Sequence, residues 1–144
     1  MGGITSTWQL WAVLAAVFAA LTAIFAKIGV SGINSNYATF LRTVVVVVAL
    51  GALIRATGEY QPLSSLSGRT LTFLVLSGLA TGASWLCYFK ALQIGQAAQV
   101  APVDKLSVVM VAVLGATFLG ETLSLTAWAG VGLIALGAVL VALP

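Results

Sequence analysis

Five apolar segments follow one another along the chain, and they constrain its fold more than any other feature. They cover about residues 8–28, 36–55, 70–92, 98–119 and 124–143. A bilayer core is about 30 Å thick and a helix rises about 1.5 Å per residue, so roughly 20 apolar residues cross it. The sequence therefore predicts an all-α, multi-pass membrane protein of five transmembrane helices in a single domain, residues 1–144.

Charged side chains are too few to cover a surface that faces water. Only 6% of the 144 residues are charged, against roughly 25% in a soluble domain. The six Lys and Arg residues are scattered, which argues against a nucleic-acid partner. With no histidine and one cysteine, Cys87, we expect no intrachain disulfide, no His/Cys metal cluster and no cofactor. Lipid is the expected covering.

Short polar segments separate the apolar runs. Residues 29–35 predict a turn, residues 55–69 a surface loop with one interfacial turn, and residues 93–99 a polar link. Val44–Val48 would favour a strand in a soluble protein. Lipid cannot hydrogen-bond to the open edge of a strand, so we predict helix there.

Three charged residues lie inside predicted spans, where ionisable groups are costly and by default suggest function. Arg42 lies roughly 9 Å into the second span, and Asp104 and Lys105 lie at a similar depth in the fourth, just after Pro102. An Arg42–Asp104 ion pair would be structural, whereas the same pair in a polar cavity would bind a charged substrate. Lys105 points about 100° away from Asp104 on an ideal helix, so we expect no direct pair. Pro102 should kink the span.

Other polar and aromatic residues near the ends of the spans have two interpretations. Lys27 and Lys90 end spans, where snorkelling is favoured over substrate contact. Trp85, Tyr88 and Phe89 share one face of the third span and form either an interfacial belt or a wall against which substrate stacks. Glu121 is expected to cap the fifth span, with a gating role as the minority interpretation.

The sequence allows two orientations in the membrane and two interpretations of its small residues. Arg55 and Arg69 on one side balance Lys27 and Lys90 on the other, so the positive-inside rule permits insertion in both orientations. Small residues let helices approach closely, either within the chain or at a dimer interface on the fifth span. They recur on four spans: Ala15, Ala19 and Ala23; Gly78 and Gly82; Ala112, Ala116 and Gly120; and Gly130, Gly132 and Gly137.

The order and spacing of several short motifs resemble the EamA family of the drug/metabolite transporter superfamily. The resemblance covers nearly the whole chain and depends on the combination, since each motif alone is weak. The motifs are AIFAKIG at 23–29, TFLRT at 39–43, YFKAL at 88–92, VAPVDKLS at 100–107, LGE at 119–121, GLI at 132–134 and Gly137.

That resemblance implies a particular architecture. Typical members look like two five-helix units of opposite orientation fused into ten helices, whereas this chain is similar to the short branch with one unit. One unit lacks the second wall of a central cavity, so the resemblance implies a homodimer in a prokaryotic inner or cell membrane, and an antiparallel dimer would reproduce the fused form. The related small multidrug resistance proteins carry a glutamate within helix 1, but residues 10–26 contain no acid. Proton-coupled export of cationic drugs by that mechanism is not expected.

The leading hypothesis is a small-metabolite transporter, an exporter by family resemblance, that works by alternating access. The alternatives are an accessory or assembly subunit of a larger membrane complex and a pore, although no span carries the polar stripe of a pore. An enzyme is least favoured, because no acid/base pair is evident. The expected substrate-binding residues are Arg42, Asp104, Trp85, Tyr88, Gln99 and Lys105, and the expected gating or helix-turn residues are Lys27, Pro102 and Glu121.

Overall fold

The computed structural model describes residues 8–143, which are helical apart from short connections. Five stretches are long and apolar enough to cross a membrane, and α4 and α5 together form one of them, Ala97–Phe118. The predicted five-span, all-α fold is therefore confirmed, and the valine run is helical. The helices are α1 Trp8–Gly29, α2 Ser35–Thr57, α3 Gly68–Ile94, α4 Ala97–Asp104, α5 Leu106–Phe118 and α6 Leu125–Ala142, with a 3-10 turn at Leu63–Ser65.

The connections are shorter than the polar segments of the sequence suggested. Helix α2 ends where Gly58 adopts a left-handed conformation with φ 70°, and its N–H donates to the Ile54 carbonyl. Helix α3 continues to Ile94, and in its last turn the Gln93 side-chain amide donates to the Ile33 carbonyl at 2.9 Å. The predicted loop and polar link therefore shrink to residues 58–67 and 95–96, and the expected turn in the loop is the 3-10 turn.

Two helix starts are capped by short polar side chains. The Asn34 carboxamide oxygen accepts from the backbone N–H groups of Asn36 and Tyr37, at 2.9 and 3.3 Å. The Ser124 hydroxyl accepts from the Ala127 N–H at 3.2 Å and begins α6. The prediction that Glu121 caps the fifth span is wrong, because Ser124 occupies the capping position.

The described residues divide into two compact units. The central unit comprises residues 26–93, and the terminal unit comprises residues 8–25 with residues 94–143. Buried side chains of the central unit gather near the end of α1, the start of α2 and the end of α3. There Val30 and Leu92 are 2% and 0% exposed. The Thr39 hydroxyl donates to the Ser35 carbonyl at 2.9 Å. The central unit is therefore packed mainly at the membrane side where Arg42 lies.

In the terminal unit α6 packs against both α4 and α5. Gly115 on α5 and Ala138 on α6 are buried. A Cβ added at Gly130, Gly132 or Gly137 would meet no atom within 4 Å, and the same holds for Gly78 and Gly82 of α3. Among residues 8–143 these glycines therefore make no tight contact with a neighbouring helix, and a dimer interface at α6 stays a prediction.

Much of the helical surface is apolar and exposed. Val45, Val47 and Val48 on α2 are exposed by 63–66%, and Leu79 on α3 by 67%. Such surface is unstable in water but is matched by lipid tails. The exposed apolar faces and the length of the helices together make the chain a multi-pass membrane protein.

Candidate functional site

Arg42 lies inside α2 and stacks on an aromatic pair of the central unit. Its guanidinium carbon is 2.6 Å from the centroid of the Trp85 ring and 5.8 Å from that of Phe89. A cation over an aromatic face is attracted by the negative face of the π system. Arg42 lies seven residues after the start of α2, so its Cα is about 10 Å along the helix.

The aromatic pair belongs to the last three turns of α3. The Trp85 and Phe89 rings stack with centroids 6.2 Å apart and an interplanar angle of 21°. Their spacing of four residues places them on one face of the helix, as the sequence predicted. Phe89 is buried, with only 3% of its surface exposed, while Trp85 and Tyr88 are half-buried. The Trp85 ring, stacked on the buried Phe89 ring, is thus held in place where it contacts the Arg42 guanidinium.

The two lysines of this unit contact neutral oxygen atoms. The half-buried Lys27 donates from Nζ to the Leu92 carbonyl at 2.6 Å. Lys90 donates to the Gln93 side-chain oxygen at 3.3 Å and is exposed. A carbonyl in the last turn of a helix lacks an intrahelical partner, so an ammonium group there is favourable. Lys27 therefore links α1 to α3.

In the terminal unit the fourth span is interrupted at Lys105, three residues after Pro102. Proline has no N–H to donate to the preceding turn, and its ring crowds the carbonyl four residues earlier. The Lys105 N–H donates to both the Ala101 and the Pro102 carbonyls, at 3.3 and 3.1 Å, in a tightened turn. The expected kink is confirmed as a break between α4 and α5.

Asp104 and Lys105 pair at this break. Lys105 Nζ lies 3.4 Å from Asp104 Oδ2, and their side chains are 54% and 36% exposed. The expectation that the two would not pair is wrong, because the 100° separation applies to an ideal helix and the Lys105 backbone departs from it, with ψ −5° where an ideal helix has about −42°. The long lysine side chain can then fold back on the neighbouring carboxylate.

Glu121 follows the end of the same span and turns back onto it. Gly120 adopts φ 68°, and the Glu121 N–H donates to the Gly115 carbonyl at 3.1 Å. The carboxylate Oε2 would lie 2.6 Å from a Cβ at residue 115, so this approach requires glycine. Glu121 is therefore a helix-turn residue that covers the α5 backbone.

The structure thus brings the predicted residues together in two sets. Arg42 and Trp85 are in contact in the central unit, where Tyr88 follows on the same helix. Pro102, Asp104 and Lys105 meet at the break in the terminal unit, and Gln99 lies exposed in the first turn of α4. The sequence did not indicate that the Leu92 carbonyl accepts from Lys27 or that Gly115 leaves room for Glu121. A main-chain acceptor and a close approach to the backbone leave no pattern in the side-chain types.

Comparison with known proteins identifies the family to which the chain belongs. The EamA-like transporter family model matches residues 6–143. The chain is 59% identical over 138 residues to a Sinorhizobium sp. protein named "Uncharacterized transporter in cobO 3'region", covering 96% of this chain and 98% of that protein. No solved structure gives a significant match. The chain therefore belongs to the EamA-like transporter family.

Proposed function

We propose that the protein is a membrane transporter that exports a small metabolite by alternating access as a homodimer. Family membership and the relative that is named a transporter support transport. The same family membership argues against an enzyme. The family resemblance supports export, the interrupted fourth span supports alternating access, and the single five-helix unit supports dimerisation.

The observation that carries the proposal is the interrupted fourth span. A helix broken inside a membrane leaves backbone groups that must face protein or a water-filled cavity. Here the break also holds Asp104 and Lys105. Transporters build substrate sites near the middle of the membrane from such discontinuous helices, because their ends and freed groups can bind polar substrates.

The proposed substrate-binding residues occur in each of the two units. In the central unit they are Arg42, Trp85 and Tyr88, and in the terminal unit they are Gln99, Asp104 and Lys105. Pro102 supplies the break about which the span bends. Lys27 and Glu121, which tie helix ends together, are proposed to move between outward-open and inward-open states.

One copy of this five-helix chain supplies only one wall of the two-walled cavity found in ten-helix family members. The proposal therefore requires a second copy. The balanced positive charges at the two ends of the spans permit both orientations and are consistent with an antiparallel pair. The open glycines of α6 offer a surface on which two helices could approach closely. A dimer made this way would present two copies of the site to opposite sides of the membrane.

Flux measurement in liposomes tests the proposal. We expect saturable efflux of at least one metabolite from a panel, abolished by both Arg42→Ala and Asp104→Ala. Glu59→Gln, which changes an acid in the exposed loop, is the matched control and should transport normally. Folded variants that transport at the wild-type rate would contradict the site. Absence of flux together with co-purification of another membrane protein would favour an accessory subunit.

Labelling of single cysteines tests orientation. In a Cys87→Ser background, a cysteine placed at Ser64 in the α2–α3 loop or at Ser31 in the α1–α2 turn is labelled with an impermeant maleimide in intact cells. Antiparallel dimers predict partial labelling at both positions and crosslinks between copies. Complete labelling at one position and none at the other would rule out dual orientation.

A further inference from the structure

The charges of the central unit are unbalanced at the membrane side where Arg42 lies. Of the residues 26–93, the cations Lys27, Arg42 and Lys90 belong to this side, and the unit's one acid is Glu59. Glu59 lies just beyond Thr57, the end of α2 that is roughly 22 Å from Arg42 along the helix axis, and accepts the Thr57 hydroxyl at 3.1 Å. No carboxylate of this unit can neutralise Arg42.

The contacts of Arg42 and Lys90 leave their positive charge in place. Lys90 donates to the Gln93 side-chain oxygen, which is a neutral acceptor. Arg42 rests on aromatic rings. In the terminal unit Asp104 already pairs with Lys105, so this pair contributes no net charge.

The stacking geometry also determines what Arg42 can still bind. At 2.6 Å from the Trp85 centroid, the planar guanidinium must present its face to the ring. Its N–H donors lie in its own plane and therefore point away from the ring. A planar fork of donors matches a carboxylate, which it can hold through two parallel hydrogen bonds.

We infer that the substrate of this transporter is an organic anion whose carboxylate is held by the fork of Arg42 while Trp85 supports the guanidinium from behind. This inference rests on the proposed function and adds the substrate class to it. An anion would balance the excess positive charge, whereas an organic cation would add to it. The site should therefore discriminate by charge.

Trp85 offers a direct reporter of binding. In a variant with Trp8, Trp11 and Trp128 replaced by Phe, Trp85 is the remaining tryptophan. This protein in phosphatidylcholine nanodiscs is titrated at neutral pH with carboxylates of different size, namely acetate, phenylacetate and succinate. Phenylacetamide and phenethylamine serve as the neutral and cationic counterparts of phenylacetate.

We expect a saturable change of Trp85 emission with a carboxylate and none with the amide or the amine. Arg42→Gln should weaken that binding roughly ten- to a hundredfold, since it removes charge-assisted hydrogen bonds. Arg42→Lys should restore only part of it, because lysine lacks the fork. Arg55→Gln, the same change near the far end of α2, should bind like the parent.

Three results would overturn the inference. Equal or tighter binding of the amide or the amine would exclude charge selection, and no saturable response to any of the carboxylates would exclude the site. If phosphatidylglycerol alone shifts Trp85 emission and suppresses the carboxylate response, Arg42 holds a lipid headgroup instead. In each case saturable flux of another metabolite in liposomes would leave the proposed transport function standing.

Discussion

The Lys27 ammonium group donates a hydrogen bond to the Leu92 carbonyl at 2.6 Å. The contact joins the end of α1 to the last turn of α3, at the packed end of the central unit, where Leu92 is fully buried. Because the last carbonyls of a helix carry partial negative charge, the ammonium group satisfies both a hydrogen bond and the helix dipole. Lys27 therefore has a structural task whether or not it moves during transport.

Replacing Lys27 by methionine keeps the length of the side chain and removes its donor. We expect Lys27→Met to lower the free energy of unfolding in mixed detergent–SDS micelles by about 1.5–3 kcal/mol, the usual contribution of a hydrogen bond to a charged group. Lys90→Met is the matched control. Because Lys90 is exposed, this substitution should lower the free energy of unfolding by less than about 0.5 kcal/mol. Equal losses from the two variants would contradict the assigned role.

Gly115 and Glu121 should be energetically coupled. Gly115→Ala favours the helix by about 0.5–1 kcal/mol but displaces the Glu121 carboxylate, whose Oε2 would lie 2.6 Å from the new Cβ. Unfolding of the single and double variants should therefore show Gly115→Ala to be more favourable by roughly 0.5–1 kcal/mol in a Glu121→Ala background. Gly51→Ala, with no atom within 4 Å of its Cβ, should show no coupling. Additive effects at Gly115 and Glu121 would argue against the contact.

Pro102→Ala restores an N–H that can donate to the preceding turn of α4. We expect the variant to raise resistance to unfolding by about 1–3 kcal/mol, because proline inside a helix is strongly unfavourable. Its liposome flux should fall, since a continuous span no longer opens at Lys105. Pro62→Ala lies in the α2–α3 loop and should leave flux unchanged. Wild-type flux from Pro102→Ala would remove the break from the mechanism.

Asn34 should set the start of α2. Asn34→Ala removes the acceptor of two backbone N–H groups and is expected to reduce the free energy of unfolding by about 1 kcal/mol. Asn34→Asp keeps an acceptor and should retain most of the stability. Asn36→Ala, an exposed change two residues later, provides the control at a cost below about 0.5 kcal/mol. No difference between Asn34→Ala and Asn36→Ala would exclude capping by the side chain.

The sequence predicted the spans well because each is determined locally. A run of about 20 apolar residues has few stable conformations in lipid other than helix, so the first span was placed from Trp8 with its end within one residue. The helix ends at Thr57 and Ile94 were placed less well. They depend on Gly58 and on the Gln93–Ile33 hydrogen bond, and the latter joins residues 60 positions apart.

The sequence by itself determined that this is a five-span membrane protein with Arg42, Asp104 and Lys105 inside the spans, because apolar length and intramembrane charge are properties of the chain. The tertiary structure decided how those charges are accommodated. Arg42 stacks on Trp85 across two helices, and Lys105 reaches Asp104 because the helix breaks there. Such contacts depend on the packing of distant segments and on local departures from ideal helix geometry, and residue order alone specifies neither directly.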